Sequence, residues 1–85
     1  MVENISESEI IARAQAGDIK AFEQLLFLYE KPVFGHIFRF IQHKENAEDL
    51  TQETFIKIFR AIKTFDPQYK FRTWVYTVAT NTVYD

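Results

Sequence analysis

The chain has 85 residues, 47% hydrophobic, 26% charged and 16% aromatic, with a formal net charge of -2; that suits one domain and is too short for two. Two Gly, two Pro and no Cys exclude a collagen, a turn-dense sandwich, a disulfide framework and any Cys-based zinc or iron–sulfur site. Plentiful Ile, Leu and Phe exclude wholesale disorder. No apolar run approaches a membrane span and Met1-Val2-Glu3-Asn4 carries no signal-peptide pattern, so the expectation is a soluble intracellular domain with no membrane partner.

Four helices are readable in chain order, which makes the fold class all-α, a compact bundle. Ser6 with Glu9 three residues on is a capping box that starts a short first helix. Ile10, Ile11 and Ala14 form its apolar stripe, and Gly17 suits the left-handed position that ends it. Asp18 is placed to cap a second helix. There Phe22, Leu25, Leu26 and Tyr29 recur at helical spacing, and Val33, Phe34, Ile37, Phe38 and Ile41 continue the stripe. Pro32 implies either a kink or a fresh start near that point. His43-Lys44-Glu45 reads as a connector, with Asn46 capping a third helix and Glu48 and Asp49 in its first turn. Phe55, Ile58, Phe59 and Ile62 give its buried stripe, extended back by Ala47 and Thr51. Phe65-Asp66-Pro67 ends it, because a residue before Pro resists the α region. A fourth helix carries Phe71, Trp74, Val75 and Val78 at helical spacing. It reaches Asp85 with no stop signal, so the expectation is a helix that continues and a chain that is an N-terminal fragment.

Two outer faces stand apart from these stripes. On the third helix, Asp49, Gln52, Glu53 and Ile56 share one sector. An apolar centre with an acidic rim is the composition of a protein-docking patch, although a solvated face with one tolerated apolar residue looks the same. On the fourth helix, Thr73 to Tyr84 includes no charged residue. Its outward positions are Thr73, Tyr76, Thr77, Thr80, Asn81 and Tyr84. A helix facing only water gains from Lys and Glu, whereas Thr is a poor helix former. Neutral donors, acceptors and rings suit base edges and base faces; burial against a further domain is the competing reading.

The charge split points the same way. Residues 1–53 carry ten acids and five bases, and residues 54–84 carry five bases (Lys57, Arg60, Lys63, Lys70, Arg72) and one acid, Asp66. Local potential rather than the total governs encounter with an anion. Phe65, Tyr69, Phe71, Trp74 and Tyr76 are interleaved with Lys70 and Arg72. Phe71 and one face of Trp74 belong on the buried stripe; Phe65 and Tyr69 lie off it and are expected to be exposed. Catalysis has little support: there is no Gly-rich phosphate loop, and His36 and His43 have no carboxylate at ligand spacing. No enzyme activity, metal or cofactor is expected.

The run Ala47-Glu48-Asp49-Leu50-Thr51-Gln52-Glu53-Thr54-Phe55, then Phe65-Asp66-Pro67, Phe71-Arg72-Thr73-Trp74-Val75-Tyr76 and Asn81 to Asp85 resembles the second conserved region of bacterial RNA polymerase sigma factors. It is most like the short extracytoplasmic-function (ECF) group, and Ala21-Phe22, Leu25 and Tyr29 fit that group too. The resemblance covers nearly the whole chain and makes residues 1–85 one sigma region 2 domain. It implies that Asp49, Gln52, Glu53 and Ile56 dock on the coiled coil of the β′ subunit of core RNA polymerase. It implies that the loop and fourth helix recognise and help melt the -10 promoter element by capturing non-template-strand bases. Phe65, Asp66 and Tyr69 would shape a pocket for a flipped base, with Trp74 beside them. Asn81 would bond a base edge, with Tyr76 and Thr77 alongside, and Lys63, Lys70 and Arg72 would hold phosphates. Members of the group are usually held by an anti-sigma factor. They also run on to a second DNA-binding domain, region 4, which this chain lacks, so weak DNA binding without core polymerase is expected. A helical protein-interaction module without intrinsic nucleic-acid binding is the alternative.

Overall fold

The computed structural model describes residues 5–85; residues 1–4, read above as lacking a signal-peptide pattern, lie outside them. Four helices follow one another: α1 (Glu7–Gln15), α2 (Ile19–Ile41), α3 (Lys44–Ala61) and α4 (Phe71–Tyr84), with a 3-10 turn at Ile62–Thr64 before the loop into α4. No strand occurs among the described residues. α2 packs against each of the other three helices. At 23 residues it is about 35 Å long, close to the 40 Å long axis of the molecule.

The ends of α1 follow local chemistry. Ser6 Oγ accepts the Glu9 amide at 3.2 Å, while the Glu9 carboxylate turns to Arg13 instead of back to Ser6. Gly17 has φ +99°. The Asp18 amide reaches the Arg13 carbonyl and the Gly17 amide reaches the Ala14 carbonyl, each at 3.0 Å, so α1 closes in a Schellman motif. Asp18 then caps α2 by accepting the Lys20 and Ala21 amides.

Pro32 lies inside a continuous α2 rather than at a restart. The ring removes the donor for the Leu28 carbonyl, and Leu28 is half exposed, so water can take that acceptor. The start of α3 departs from expectation. Asn46 is not its cap: the helix begins at Lys44, and His43 Nδ1 accepts the Asn46 amide at 3.2 Å. Gln42 ends α2 in the left-handed region, φ 54°, leaving a connector too short for Lys44 and Glu45. Glu45, not Glu48 or Asp49, sits in the first turn.

The core is built from Leu25, Val33 and Ile37 of α2, Ala47, Phe55 and Ile58 of α3, and Val75 and Ala79 of α4. Phe59 is a correction: it is 49% exposed and sets its ring edge on Phe22 at 5.0 Å. Thr54 takes the interior position instead. Thr51, Thr54 and Thr82 are buried, and each hydroxyl donates to the carbonyl four residues earlier, at 2.7, 2.7 and 2.8 Å. That back-bond removes the cost of an unpaired buried hydroxyl.

A Cβ at Gly17 would meet no neighbour within 4 Å, so the backbone alone resists substitution there. Gly17→Ala is expected to cost about 1–2 kcal/mol, read as a fall in Tm of roughly 4–8 °C per kcal/mol by circular dichroism.

Candidate functional site: two faces and a loop pocket

The acidic face of α3 is open. Asp49, Gln52, Glu53 and Ile56 are all exposed. Asp49 and Gln52 also line a groove of about 600 Å³ between α3 and α2, which Lys31 and Phe34 complete from the α2 side. Ile56, 52% exposed, is followed at i+3 by the half-exposed Phe59, so the apolar centre is a strip of two residues. Periodicity assigned Phe59 to the interior and therefore missed it here.

The loop after α3 is tied down by rings. Phe65 lies 5.2 Å from Phe71 and 5.3 Å from Trp74, and Tyr29 of α2 meets Phe71 at 5.5 Å. Phe65 is consequently buried, 5% exposed, whereas Tyr69 is 72% exposed. The expected exposure of Phe65 is thus corrected: aromatic contacts from α4 outweigh its position off the helical stripe. Phe65 still lines an open cavity of about 540 Å³, shared with Asp66, Tyr69, Lys70, Thr73 and Trp74. Asp66 shapes that cavity: its Oδ1 accepts the Gln68 amide at 2.9 Å and its carbonyl the Tyr69 amide at 3.0 Å, an Asx turn that lifts Tyr69 to the rim.

The five bases of the second half do not form one patch. Lys57 pairs with Asp85. Lys63 lines a separate cavity of about 330 Å³ with Ile19, Phe22, Phe59 and Arg60. Lys70 borders the loop pocket. Arg72 lies over the Tyr76 ring, 5.2 Å from its centroid, and donates to the Tyr76 hydroxyl at 3.0 Å.

Along α4, Thr73, Thr77 and Asn81 are exposed and repeat every four residues, a line about 12 Å long leading away from the pocket. The Thr77 hydroxyl donates to the Thr73 carbonyl at 2.9 Å, so its oxygen remains an acceptor. Tyr76 is half-buried, and one face of its ring is taken by His36 of α2, stacked at 4.7 Å and 5°. His36 Nε2 also bonds the Thr80 hydroxyl at 2.8 Å. Tyr76 is therefore held in place rather than offered as an open stacking plane; on the loop and α4, Tyr69 and Tyr84 are the exposed rings. Sequence pattern could not have found His36, whose partner lies 44 residues away. Burial, and then the neighbouring Arg39, hold its imidazole below the ordinary value near 6.5. Beneath the loop the Tyr29 hydroxyl donates to Glu7 at 2.9 Å; burial first and this bond second push that phenol up to about 12, so it stays a donor. Among the described residues no His, Cys, Asp and Glu are grouped to hold a metal, and no helix is long and apolar enough to cross a membrane.

These features define an all-α domain with one acidic face, one neutral face, and a loop pocket beside the latter. The chain belongs to the Sigma-70 region 2 family, whose model matches residues 26–85. It is 37% identical over 82 residues to the RNA polymerase sigma-H factor of Pseudomonas aeruginosa, an alignment covering 96% of this chain and 42% of that protein. The ECF RNA polymerase sigma-E factor of Haemophilus influenzae matches with the same identity, over 96% of this chain and 43% of its own length. The ECF RNA polymerase sigma factor BldN of Streptomyces coelicolor is 42% identical over 78 residues, 91% of this chain and 30% of the relative. This chain therefore spans less than half the length of these relatives. Among solved structures, the NMR structure of an engineered region 2 of sigmaE in complex with GTAAAA superposes with a TM-score of 0.90 at 37% identity, over 99% of this chain and 87% of that one.

His36 yields a pH prediction. With its folded pKa below the unfolded one, the unfolded state binds more protons as pH falls through about 6.5, so the His36 contribution is complete above that pH and is lost below it. Urea denaturation between pH 7.5 and 5.5 is expected to show falling stability, with a shallower slope in His36→Phe, which keeps a ring on Tyr76 but has no proton to gain.

Proposed function

We propose that this chain is the core-docking and promoter-recognition domain of an ECF-type sigma factor, acting in the cytoplasm where bacterial RNA polymerase works. Asp49, Gln52, Glu53 and Ile56, joined by Phe59, dock on the coiled coil of the polymerase β′ subunit. Negative side chains at the rim set register and encounter rate, while the apolar strip supplies burial. The loop pocket takes an unpaired base of the -10 non-template strand, with Phe65 and Trp74 as its walls and Tyr69 at its rim. Thr73, Thr77 and Asn81 meet the neighbouring base edges, and Lys70 and Arg72 meet phosphates. Base extrusion costs a few kcal/mol, and stacking returns roughly 1–3 kcal/mol per base. An anti-sigma factor is a further partner of this reading; the exposed Ile19, Phe27 and Leu28 support a covering protein on the α2 side.

The observation that carries the reading is the open cavity over Phe65 beside an uncharged helix face, on a fold matching a sigmaE region 2 in complex with GTAAAA. The protein-interaction alternative offers no reason for that cavity to adjoin a helix with no charged residue from Thr73 to Tyr84.

Asp49→Ala or Gln52→Ala is expected to weaken binding to a β′ coiled-coil fragment by about tenfold, near 1.4 kcal/mol, without lowering Tm. Unchanged affinity in both variants excludes the docking assignment. Phe65→Leu, chosen because Phe→Ala in a core costs about 3–5 kcal/mol, is expected to reduce open-complex formation with core polymerase about tenfold while core affinity holds. Equal loss of both would make Phe65 purely structural.

A further inference from the structure

We infer that Gln15, the last residue of α1, is the positioning residue for the base-binding loop. Its carboxamide donates both amide hydrogens across the molecule, to the Ile62 carbonyl at 2.9 Å and the Phe65 carbonyl at 2.8 Å. These two acceptors bracket the 3-10 turn that launches the loop. The other hydrogen bonds within residues 62–70 are local, joining Ile62 to Phe65, Ala61 to Thr64, and Asp66 to Gln68 and Tyr69. The Thr64 bond to Ala61 and the Trp74 amide bond to the Lys70 carbonyl come from adjoining residues, whereas among the described residues the Gln15 pair are the hydrogen bonds that reach this segment from a remote part of the chain, spanning 47 and 50 residues.

The tie has a rigid anchor. Ile10, Ile11 and Ala14 bury α1 against the core, and the Schellman closure at Gly17 fixes its last turn. Gln15 is half-buried, so water competes poorly for its amide. The Phe65 carbonyl belongs to a residue that lines the pocket, and holding that carbonyl fixes the backbone from which the Phe65 ring projects. Gln15 lies outside the residues matched by the family model, 26–85, so the loop brace is supplied by a helix beyond that match. Its role rests on the base-binding reading of the loop proposed above.

Three variants test it. Gln15→Met keeps shape and removes both donors; Gln15→Glu turns a carboxylate toward two carbonyls; Gln15→Lys restores donors on a stem of similar reach. Two readouts need no DNA: amide hydrogen exchange at Gln68, Tyr69 and Lys70, and the emission of Trp74, the one tryptophan of the chain, which packs on Phe65. Two more are open-complex formation with core polymerase and affinity for the β′ coiled-coil fragment. Met and Glu are expected to keep helicity, to speed loop exchange about tenfold and red-shift Trp74. They should lower open-complex formation about tenfold with β′ affinity unchanged, and Lys should restore all three. Wild-type exchange and emission in both Met and Glu would overturn the brace. A loosened loop with unchanged open-complex formation would overturn its role in positioning. A wild-type chain that itself forms no open complex with core polymerase would overturn the function assigned above and the positioning role with it, a failure distinguishable because it appears before any substitution is made.

Discussion

Four rings from three parts of the chain hold the loop end of the bundle together. Tyr29 comes from the middle of α2, Phe65 from the loop, and Phe71 and Trp74 from the first turns of α4, with centroids 5.2 to 5.7 Å apart. Tilted and edge-on pairs of this kind contribute about 0.5–1.5 kcal/mol each beyond the burial of their area. A domain of this size has a total stability of roughly 4–13 kcal/mol, so the cluster is a large share of it. The cluster also acts where no regular secondary structure can. Between Phe65 and Lys70 the backbone has no helix to hold it, and the rings, the Asx turn at Asp66 and the carboxamide of Gln15 substitute for one. A pocket whose walls are ordered before a ligand arrives loses less entropy when it fills.

The same economy explains how α4 tolerates its composition. Thr and Asn are weak helix formers, and the helix starts without a side-chain cap. It persists because Phe71, Val75, Ala79 and Thr82 are buried against α2 and α3, and tertiary packing outweighs propensity. Freed from stabilising itself with Lys and Glu, the opposite face carries neutral hydroxyls and an amide. The exposed acids Asp49 and Glu53 are set apart on α3. The bases are distributed as well: Lys57 pairs at the end of α4, Arg60 and Lys63 flank another cavity, and Lys70 and Arg72 remain near the loop. The charge split along the chain is therefore less concentrated in space than in sequence.

α2 links the two faces. Phe34 and Lys31 complete the groove beside the acidic face, and within two turns His36 stacks on Tyr76 and bonds Thr80. One helix thus borders both surfaces, and Pro32, which it accommodates without a break, lies beside the first of them.

Local chemistry made much of this legible from the chain alone. Ser6, Gly17 and Asp18 act through neighbours two to five residues away, and the stripe of α1 and that of α2, except for the 39% exposed Phe38, follow from helical spacing, as does the outward turn of Asp49, Gln52, Glu53, Ile56 and Asn81. His43 escaped notice because imidazole is an uncommon cap, and Asn46 offered a more familiar one. The rest depended on partners far along the chain. Phe65 lies off every stripe yet is buried, because the Phe71 and Trp74 rings of α4 converge on it. Phe59 lies on the stripe yet is exposed, because the buried sector of α3 is rotated toward Thr54 and leaves Phe59 at its edge. His36 and Gln15 have their partners 44 to 50 residues away, where periodicity carries no information. Sequence alone determined the four helices, the caps at Ser6, Gly17 and Asp18 and the outward turn of the acidic α3 residues, since each depends on contacts within a turn or two. Only the tertiary structure decided the pocket and what braces it, since these arise where residues remote in the chain are brought within reach.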